Sequence, residues 1–254
     1  MRKFSAALFS IVAVGHAAWA DWQVVSTSNQ PSRIAGIEYR RVGVENSGER
    51  AIIDAVLVSP KAARLEVFDN PGGNDTLAEV MRREKCVAGV NGGYFDTAFK
   101  PIGLLVSRGR IISPLARARL LKGVLCSSAR GIEIVRVGEF SRNRKLDCAI
   151  ESGPFLVDLG WHVSGLDRTR SARRSFAAVS RDGQAALGIC SEVTLDQLAS
   201  LLSAVPLGGN FKIWRALNLD GGSSSAFWFQ GKDDDVISIP EEKTVRDFVA
   251  ITTK

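Results

Sequence analysis

Histidine is nearly absent from this sequence, with two occurrences among 254 residues. His16 lies in the N-terminal apolar region, and His162 stands in a Trp-His-Val context without a neighbouring metal-ligand residue. We interpret His162 as structural, because no acid, base or metal partner stands beside it. The scarcity of histidine leaves little support for histidine-based catalysis.

Common nucleotide-binding and hydrolase motifs are missing as well. The chain has no G-x-x-x-x-G-K-[ST] phosphate loop, no HExxH and no calcium-loop pattern. The run from Gly221 to Ser225 lacks the final glycine of the G-x-S-x-G nucleophile elbow. These absences disfavour a nucleotide hydrolase and a serine hydrolase. They predict no particular cofactor, although Asp220 with Asn91 or Asn218 could hold a divalent cation such as calcium or magnesium through oxygen.

Cysteine occurs four times, at widely separated positions and without a CxxC pair. This spacing argues against a structural zinc site and against a thioredoxin motif. In an exported chain the four residues predict up to two disulfides, in any of three pairings. The alternative is that Cys86, Cys126, Cys148 and Cys190 include buried thiols that act as small apolar side chains.

Long apolar runs are missing after the N-terminus. There, Arg2 and Lys3 precede an apolar run from Phe4 to Val14, and Ala18-Trp19-Ala20 offers a small-x-small cleavage site. This order predicts a signal peptide over residues 1–20 and export to the periplasm or the medium. An uncleaved N-terminal anchor is the alternative. No later stretch approaches the roughly 20 apolar residues of a membrane helix, so we expect no transmembrane segment in residues 21–254.

The positive charge of the exported part is modest. Removal of Arg2 and Lys3 lowers the formal charge by two, from +6 to +4. The remaining basic residues are scattered and show neither zinc-finger spacing nor a recognition helix, so we expect no nucleic-acid partner. One concentration, at residues 168–174, is either a solvated loop or an anion-binding segment.

Most of the chain has the pattern of β-strands separated by turn residues. Strands are predicted at residues 37–44, 51–58, 64–68, 87–90, 103–107, 110–113, 123–126, 131–137, 148–150, 152–157, 175–180, 184–190 and 245–251. Two helices are predicted, at about 76–83 with Asn74 or Asp75 as N-cap, and from the capping box at Thr194 to about Ala204. The absence of a linker or of regular strand-helix alternation predicts an α+β fold, in one compact domain with mixed or antiparallel sheets and a few helices.

The stretch 216–225 is the most distinctive part of the sequence. Leu217 and Leu219 alternate with Asn218 and Asp220 as in a strand, and Gly221-Gly222 then allows a sharp turn or a close approach to a ligand. An ordinary strand-end turn is the simpler interpretation of Asp-Gly alone. A second junction of this kind follows the strand predicted at 87–90, at residues 91–96. These two junctions are the predicted functional site.

The side chains available near these turns are carboxylates, amides, hydroxyls and guanidinium groups. Asp96, Glu151 and Asp220 lie near glycine at predicted strand ends, where a side chain can face a cleft. Glycoside cleavage uses one carboxyl group as acid and another as base or nucleophile. Arginine binds phosphate through two parallel hydrogen bonds. This inventory is typical of a glycosidase or an anion binder.

Three separated motifs, and a fourth stretch that matches more loosely, resemble the phosphodiester glycosidase family. Asn91-Gly-Gly-Tyr-Phe95 is similar to an Asn-Gly-Gly-aromatic-Phe motif of that family, and residues 218–225 are similar to its Asn-Leu-Asp-Gly-Gly-x-Ser motif. Ser152-Gly-Pro-Phe-Leu-Val157 resembles a third segment, and residues 174–179 resemble an Arg-Thr-Ala stretch, with Ser175 and Phe176 in place of threonine and alanine. The resemblance implies an α+β fold and hydrolysis of the bond between a sugar's anomeric carbon and a phosphodiester.

The resemblance and the residue inventory together imply roles for particular residues. Asp220 is the predicted leading carboxylate, Glu151 its partner and Asp96 the third candidate. The predicted substrate-binding residues are Asn91, Gly92, Gly93, Arg174, Asn218, Gly221, Gly222 and Ser223. The asparagines would bind sugar hydroxyls, while Arg174 and Ser223 would bind phosphate. The expected partner is a sugar-phosphate or glycan substrate; the competing hypothesis is a protein that binds a cell-envelope glycan or anionic polymer without cleaving it.

Overall fold

A computed structural model of the protein describes residues 22–60, 62–141 and 144–253. The predicted signal peptide lies outside the described residues and stays a prediction. Within those ranges, no helix is both long enough and apolar enough to cross a membrane.

The described ranges contain eighteen strands and two short α-helices. In chain order the strands are β1 (Gln23–Pro31), β2 (Ile37–Asn46), β3 (Glu49–Val58), β4 (Arg64–Asp69), β5 (Ala88–Asn91), β6 (Leu105–Ser107), β7 (Arg110–Ser113), β8 (Gly123–Ser128), β9 (Gly131–Arg136), β10 (Cys148–Ser152), β11 (Phe155–Asp158), β12 (Trp161–His162), β13 (Ala172–Ser180), β14 (Ala185–Val193), β15 (Ile213–Asn218), β16 (Phe227–Gln230), β17 (Val236–Ile239) and β18 (Asp247–Thr252). The helices are α1 (Leu77–Arg83) and α2 (Leu195–Ala204). All the predicted strands are present with shifted ends, whereas β1, β12, β16 and β17 were not predicted.

The fold is β-rich. The α+β prediction holds only in that both element types occur, because the two helices span seven and ten residues. Every strand pairing is antiparallel, so of the two predicted sheet types the antiparallel one is present. Three sheets form, in the orders β1-β2-β3-β14-β13-β15-β11-β12, β7-β6-β10-β8-β9 and β17-β16-β5-β18-β4.

One apolar cluster receives side chains from all three sheets. In β3, Val56 and Val58 join this central cluster, whereas Ile53 and Ala55 point to the opposite face, where α2 packs. In β18 the same period-two alternation sends residues 249 and 251 to the centre and residues 248 and 250 towards α1. Alternation of this kind lets one strand bury both of its faces. The sheets are therefore packed around a shared core, with the helices on outer faces.

Both helices begin with a capping box. The N-cap of α1 is Thr76, whose hydroxyl accepts from the Glu79 backbone N–H while the Glu79 carboxylate accepts from the Thr76 N–H. The prediction of Asn74 or Asp75 as N-cap was wrong, because Asp75 instead pairs with Arg83 at 2.7 Å. The predicted box of α2 is confirmed, with Thr194 as N-cap.

All four cysteines are buried free thiols, so the expectation of disulfides was wrong. Each thiol lies in a different apolar cluster: Cys148 in the central one, Cys190 beneath α2, Cys86 beneath α1 and Cys126 on the outer face of the β10 sheet. Cys126 and Cys148 are on neighbouring strands but face opposite sides of the sheet. Sheet thickness therefore separates even the pair that is nearest in strand order.

Candidate functional site

The two predicted glycine junctions meet in space. The backbone N–H of Asp220 donates to the Gly92 carbonyl at 3.0 Å, and the Asn91 side-chain amide donates to the Asp220 carbonyl at 2.7 Å. These contacts join segments whose residues are 129 positions apart in the chain. The end of β5 and the end of β15 thus form a single site.

Asn91 is the connector of this junction rather than an exposed polar group. Its side-chain oxygen accepts from the Ser175 hydroxyl at 2.5 Å and from the Ala226 backbone N–H at 3.0 Å. The residue is fully buried. Because its oxygen and one amide hydrogen have protein partners, Asn91 holds strands in place instead of presenting itself to a sugar.

Asn218 also lies inside the site but keeps one unused polar atom. Its amide nitrogen donates to the Tyr94 hydroxyl at 2.8 Å, and that hydroxyl in turn donates to the Gly153 carbonyl at 2.7 Å. Burial raises the pKa of Tyr94, so its hydroxyl stays neutral. The Asn218 Oδ1 atom is buried without a partner among the described residues. A buried acceptor left unsatisfied is costly, and a bound hydroxyl or water would satisfy it.

Asp220 has a half-buried carboxylate at the start of the Gly-Gly turn. One carboxylate oxygen accepts from the Gly221 N–H at 2.9 Å. Burial raises the pKa of Asp220, while hydrogen bonds from the Ser224 hydroxyl and the Gly221 N–H act against that rise. Gly222 follows with φ of +66° and no atom within 4 Å of the position that a Cβ would occupy. The turn that begins at Asp220 is therefore open on the side of Gly222.

Ser223 sits in the same turn, half exposed. Its carbonyl accepts from the backbone N–H groups of Glu242 and Lys243 at 2.8 and 3.1 Å. These bonds attach the Gly-Gly turn to the loop that precedes β18. The turn is consequently held by the end of β5 at Asp220 and by the loop before β18 at Ser223.

Asp247, at the start of β18, was missed by the sequence reasoning. It is 1% exposed, and its Oδ1 atom accepts from the Gly93 N–H at 2.8 Å. A Cβ on Gly92 would overlap that oxygen, which explains why glycine is required there. Burial raises the pKa of Asp247 to about 7, and the negative charge of Asp220 adds to the rise. The available signal was a charged residue within an apolar strand pattern.

Arg174 lies against the turn but is largely occupied. It is 8% exposed, and its guanidinium donates to the carbonyls of Val193 and Arg170 at 3.0 and 2.5 Å. Its Nη1 atom lies 3.8 Å from the position that a Cβ would take on Gly221. Burial lowers the pKa of Arg174. The neighbouring Arg173 pairs with Glu242 at 3.1 Å, and the backbone N–H of Glu242 donates to the Ser223 carbonyl of the turn at 2.8 Å.

The structure does not join the other two predicted carboxylates to Asp220 through any described hydrogen bond. Glu151 is 1% exposed, and its Oε2 atom accepts from the backbone N–H groups of Leu104 and Ala116 at 2.8 and 2.9 Å. Its other oxygen is buried without a partner among the described residues. Asp96 is exposed and accepts from two backbone N–H groups of its own loop at 2.9 Å. Across the described ranges, no group of three or more His, Cys, Asp or Glu side chains is placed to hold a metal ion.

The family model for phosphodiester glycosidase matches residues 84–252, well over half of the chain and all of the junction residues described above. The chain belongs to the phosphodiester glycosidase family. A curated relative, the uncharacterized protein YigE of Escherichia coli K12, is 23% identical over 122 residues, which are 42% of this chain and 48% of YigE. The chain thus spans about half the length of that relative.

Solved structures show the same fold at low identity. The catalytic domain of zebrafish N-acetylglucosamine-1-phosphodiester alpha-N-acetylglucosaminidase, auto-inhibited by its pro-peptide, has a TM-score of 0.65 and 14% identity over 91% of this chain and 89% of its own. A hypothetical protein from Synechocystis has a TM-score of 0.61 and 15% identity, over 86% of this chain and 62% of its own. At such identities the likeness establishes the phosphodiester glycosidase fold and leaves the reaction to be tested.

Proposed function

We propose that this chain is an exported hydrolase that cleaves the bond between a sugar's anomeric carbon and a phosphodiester in a glycan or cell-envelope polymer. The observation that carries the proposal is the half-buried Asp220 carboxylate, fixed where the two glycine junctions meet. Family membership supports a hydrolase. The proposal of export rests on the sequence of the first twenty residues.

Asp220 takes the role of the leading carboxylate. Cleavage at an anomeric carbon develops positive oxocarbenium charge, which a carboxylate stabilises or captures covalently. The burial of Asp220 strengthens such an interaction, because fewer waters screen it. Since phosphate departs readily as an anion, the reaction needs a strong general acid less than ordinary glycoside cleavage does.

The sugar and phosphate would bind on either side of Asp220. The unsatisfied Oδ1 atom of Asn218 suits a sugar hydroxyl, and the Nη1 atom of Arg174 with the Gly221-Gly222 backbone suits phosphate oxygens. Asn91, Gly92 and Gly93 act through position, because their polar groups hold the junction together. Ser223 completes the phosphate side with its hydroxyl.

Asp247 acts as a positioning residue. It fixes the Gly93 N–H and lies close enough to Asp220 for their charges to interact. Below about pH 7 it carries a proton, so it adds no second negative charge beside an anionic substrate. Of the other two predicted carboxylates, Glu151 is the buried anchor of the segment around Ala116, and Asp96 caps its own loop.

Turnover distinguishes a hydrolase from a binding protein. We would incubate the purified protein with a panel of sugar-1-phosphodiesters and measure released sugar, alongside binding of the same compounds by calorimetry. The hydrolase hypothesis expects sugar release from at least one compound. Binding of a compound without any release would favour the carbohydrate-binding alternative. Mass spectrometry of the protein from its native host tests export, for which we expect an N-terminus near Asp21.

A further inference from the structure

A basic groove of about 860 Å³ lies between the segment 115–122 and the turn after β9. We use the name "basic groove" for this cavity throughout. The cationic residues that line it are Arg117, Arg119, Lys122 and Arg136. Its single acidic lining residue is Glu139.

The positive charge of the basic groove is not offset locally. Glu139 is held by Arg215 at 2.8 and 3.1 Å, and Arg136 is paired with Asp158. In the part of the chain that the structure describes, Arg117, Arg119 and Lys122 have no carboxylate partner. The three unpaired cations are exposed, and they give the groove an excess of positive charge. Such an excess attracts anions and raises their local concentration.

A second groove offers a comparison. It has a volume of about 700 Å³ and is lined by Arg64, Arg130 and Lys145, but also by Asp147 and Asp182. Its cations are therefore accompanied by carboxylates. The charge excess belongs to the basic groove rather than to every groove on the molecule's surface.

The wall of the basic groove is continuous with the candidate site. The Lys122 backbone N–H donates to the Ser152 carbonyl at 3.0 Å, and the Leu120 carbonyl lies against Gly153. On its other side, the segment 152–154 receives hydrogen bonds from the Tyr94 hydroxyl and the Asn218 backbone N–H, at 2.7 and 3.0 Å. A substrate chain leaving the site past this segment has the basic groove as its neighbour.

We propose that the basic groove binds further phosphates beyond the sugar whose anomeric bond is cleaved, and that the substrate is a chain of sugars joined by repeated phosphodiesters. This inference rests on the proposed hydrolase function. A substrate with one phosphate would be held at the Gly221-Gly222 turn alone. A longer chain would also place its next phosphates against Arg117, Arg119 and Lys122. The two arginine guanidinium groups can each donate two parallel hydrogen bonds to one phosphate.

The test compares a single-phosphate substrate with an oligomer of several phosphodiester-linked units of the same sugar. The wild type should use the oligomer with the higher kcat/KM, mainly through a lower KM. In the double variant Arg117→Gln, Arg119→Gln, the ratio of kcat/KM between oligomer and single-phosphate substrate should fall by about tenfold or more. A plot of log KM for the oligomer against log salt concentration should also become less steep. The slope should fall by roughly 0.7 for each phosphate that the variant no longer binds. The matched control, Arg64→Gln with Arg130→Gln, should keep the ratio of the wild type.

Equal ratios in the wild type and the double variant would overturn the inference, and so would an equal fall in the control. If the wild type hydrolyses neither substrate, the proposed function fails, and binding of a fluorescent oligomer then tests the groove by itself. If the wild type binds the oligomer more tightly than the single-phosphate compound, and the double variant does not, the inference about the basic groove would still be supported. A double variant that binds the oligomer normally but loses binding to phosphatidylglycerol vesicles would assign the groove to a membrane surface and overturn it.

Discussion

Two aspartates of the site have raised pKa values for the same reason, burial, yet they differ in surroundings. Asp220 is half exposed beside the open turn, whereas Asp247 is enclosed and touches the Gly93 N–H. The enclosed carboxyl is protonated up to about pH 7. Because Asp220 is the more exposed of the two, the proposed function gives it the contact with substrate, and the two residues require different experiments.

Replacement of Asp220 by asparagine tests the leading carboxylate. Asparagine keeps the shape and can still accept from the Gly221 N–H, so we expect a stability loss of at most about 1 kcal/mol. Loss of the charge should lower turnover of a sugar-1-phosphodiester by about 10²–10⁴-fold. Thermal melting beside kinetics measures both effects, with Asp233→Asn as the matched control on an exposed loop. A normal melting temperature with near-normal turnover would remove Asp220 from this role and direct attention to Glu151 and Asp96.

Replacement of Asp247 by asparagine should change how stability depends on pH. The pKa of Asp247 rises from 3.8 to about 7 on folding, so the folded protein binds this proton more tightly than the unfolded chain does. The stabilisation is therefore present at acid pH and is lost as the pH rises from about 4 to about 7. We expect the melting temperature of the wild type, relative to Asp247→Asn, to fall across that window and to stay level above it. A difference that is constant from pH 4 to pH 8 would contradict the assignment.

Arg174→Lys should impair both stability and phosphate handling. Lysine keeps a charge but loses the planar fork that donates to the carbonyls of Val193 and Arg170. We expect the free energy of unfolding to fall by about 1–3 kcal/mol, together with a higher KM for the phosphodiester. Arg173→Lys is the control, because Arg173 pairs with exposed Glu242. Impairment in the control alone would move the phosphate role to Arg173.

At the scale of elements, Asn91 ties the end of β5 to two neighbouring segments. Its side chain contacts Ser175 of β13, the carbonyl of Asp220 after β15, and the N–H of Ala226. Replacement of the Asn91 side chain by a methyl group removes all three of these hydrogen bonds. The geometry of the site therefore depends on one side chain that need not touch the substrate.

We expect Asn91→Ala to lower the free energy of unfolding by about 2–4 kcal/mol. Turnover should fall as well, since the Asp220 backbone loses one of its two supports. Urea unfolding measures the first effect, and Asn210→Ala, at an exposed position, is the control. If Asn91→Ala unfolds like the wild type and loses only substrate binding, Asn91 is a sugar ligand after all.

Strands differed in how well the sequence predicted them, and their composition accounts for part of the difference. β3 and β18 are central strands with apolar residues on both faces, and both were predicted. β1, β12 and β17 are sheet edges, exposed or half exposed along their length, and none was predicted. The edge strands β4, β7 and β9 were predicted nonetheless, because half of their residues are aliphatic or aromatic, whereas β1 is mostly polar and β12 spans two residues. The buried β16 was also missed, and its length is not the reason, because β5 and β7 also span four residues and were predicted.

At the scale of the whole molecule, three sheets share one core and divide the remaining apolar residues among outer clusters. This division sends each cysteine to a different cluster. Burial raises the pKa of Cys126 to about 11 and that of Cys86 and Cys190 to about 12, which keeps these thiols protonated and unreactive. Exported proteins commonly contain disulfides. Because the four thiols of this protein lie in separate clusters, we expect no disulfide between them.

We expect the unreduced protein to contain four free thiols. A thiol reagent such as Ellman's reagent should detect none of them rapidly in the native protein and all four in guanidinium chloride, because unfolding exposes every cluster. Intact mass before and after reduction should be the same. Fewer than four thiols in the unreduced, denatured protein would show that a disulfide forms despite the separation of the clusters.

The sequence by itself determined the two glycine junctions, with Asp220 at the start of one of them, because turn residues after alternating strands are a local pattern. It also predicted the helices and most central strands, since burial on a strand or helix face repeats at a fixed period. The roles of Asn91 and Asp247 were decided only by the tertiary structure. Asn91 reaches a carbonyl 129 residues away, and Asp247 reaches an N–H 154 residues away. Burial and partner choice depend on which distant segments pack together, and that packing also placed the four cysteines beyond each other's reach.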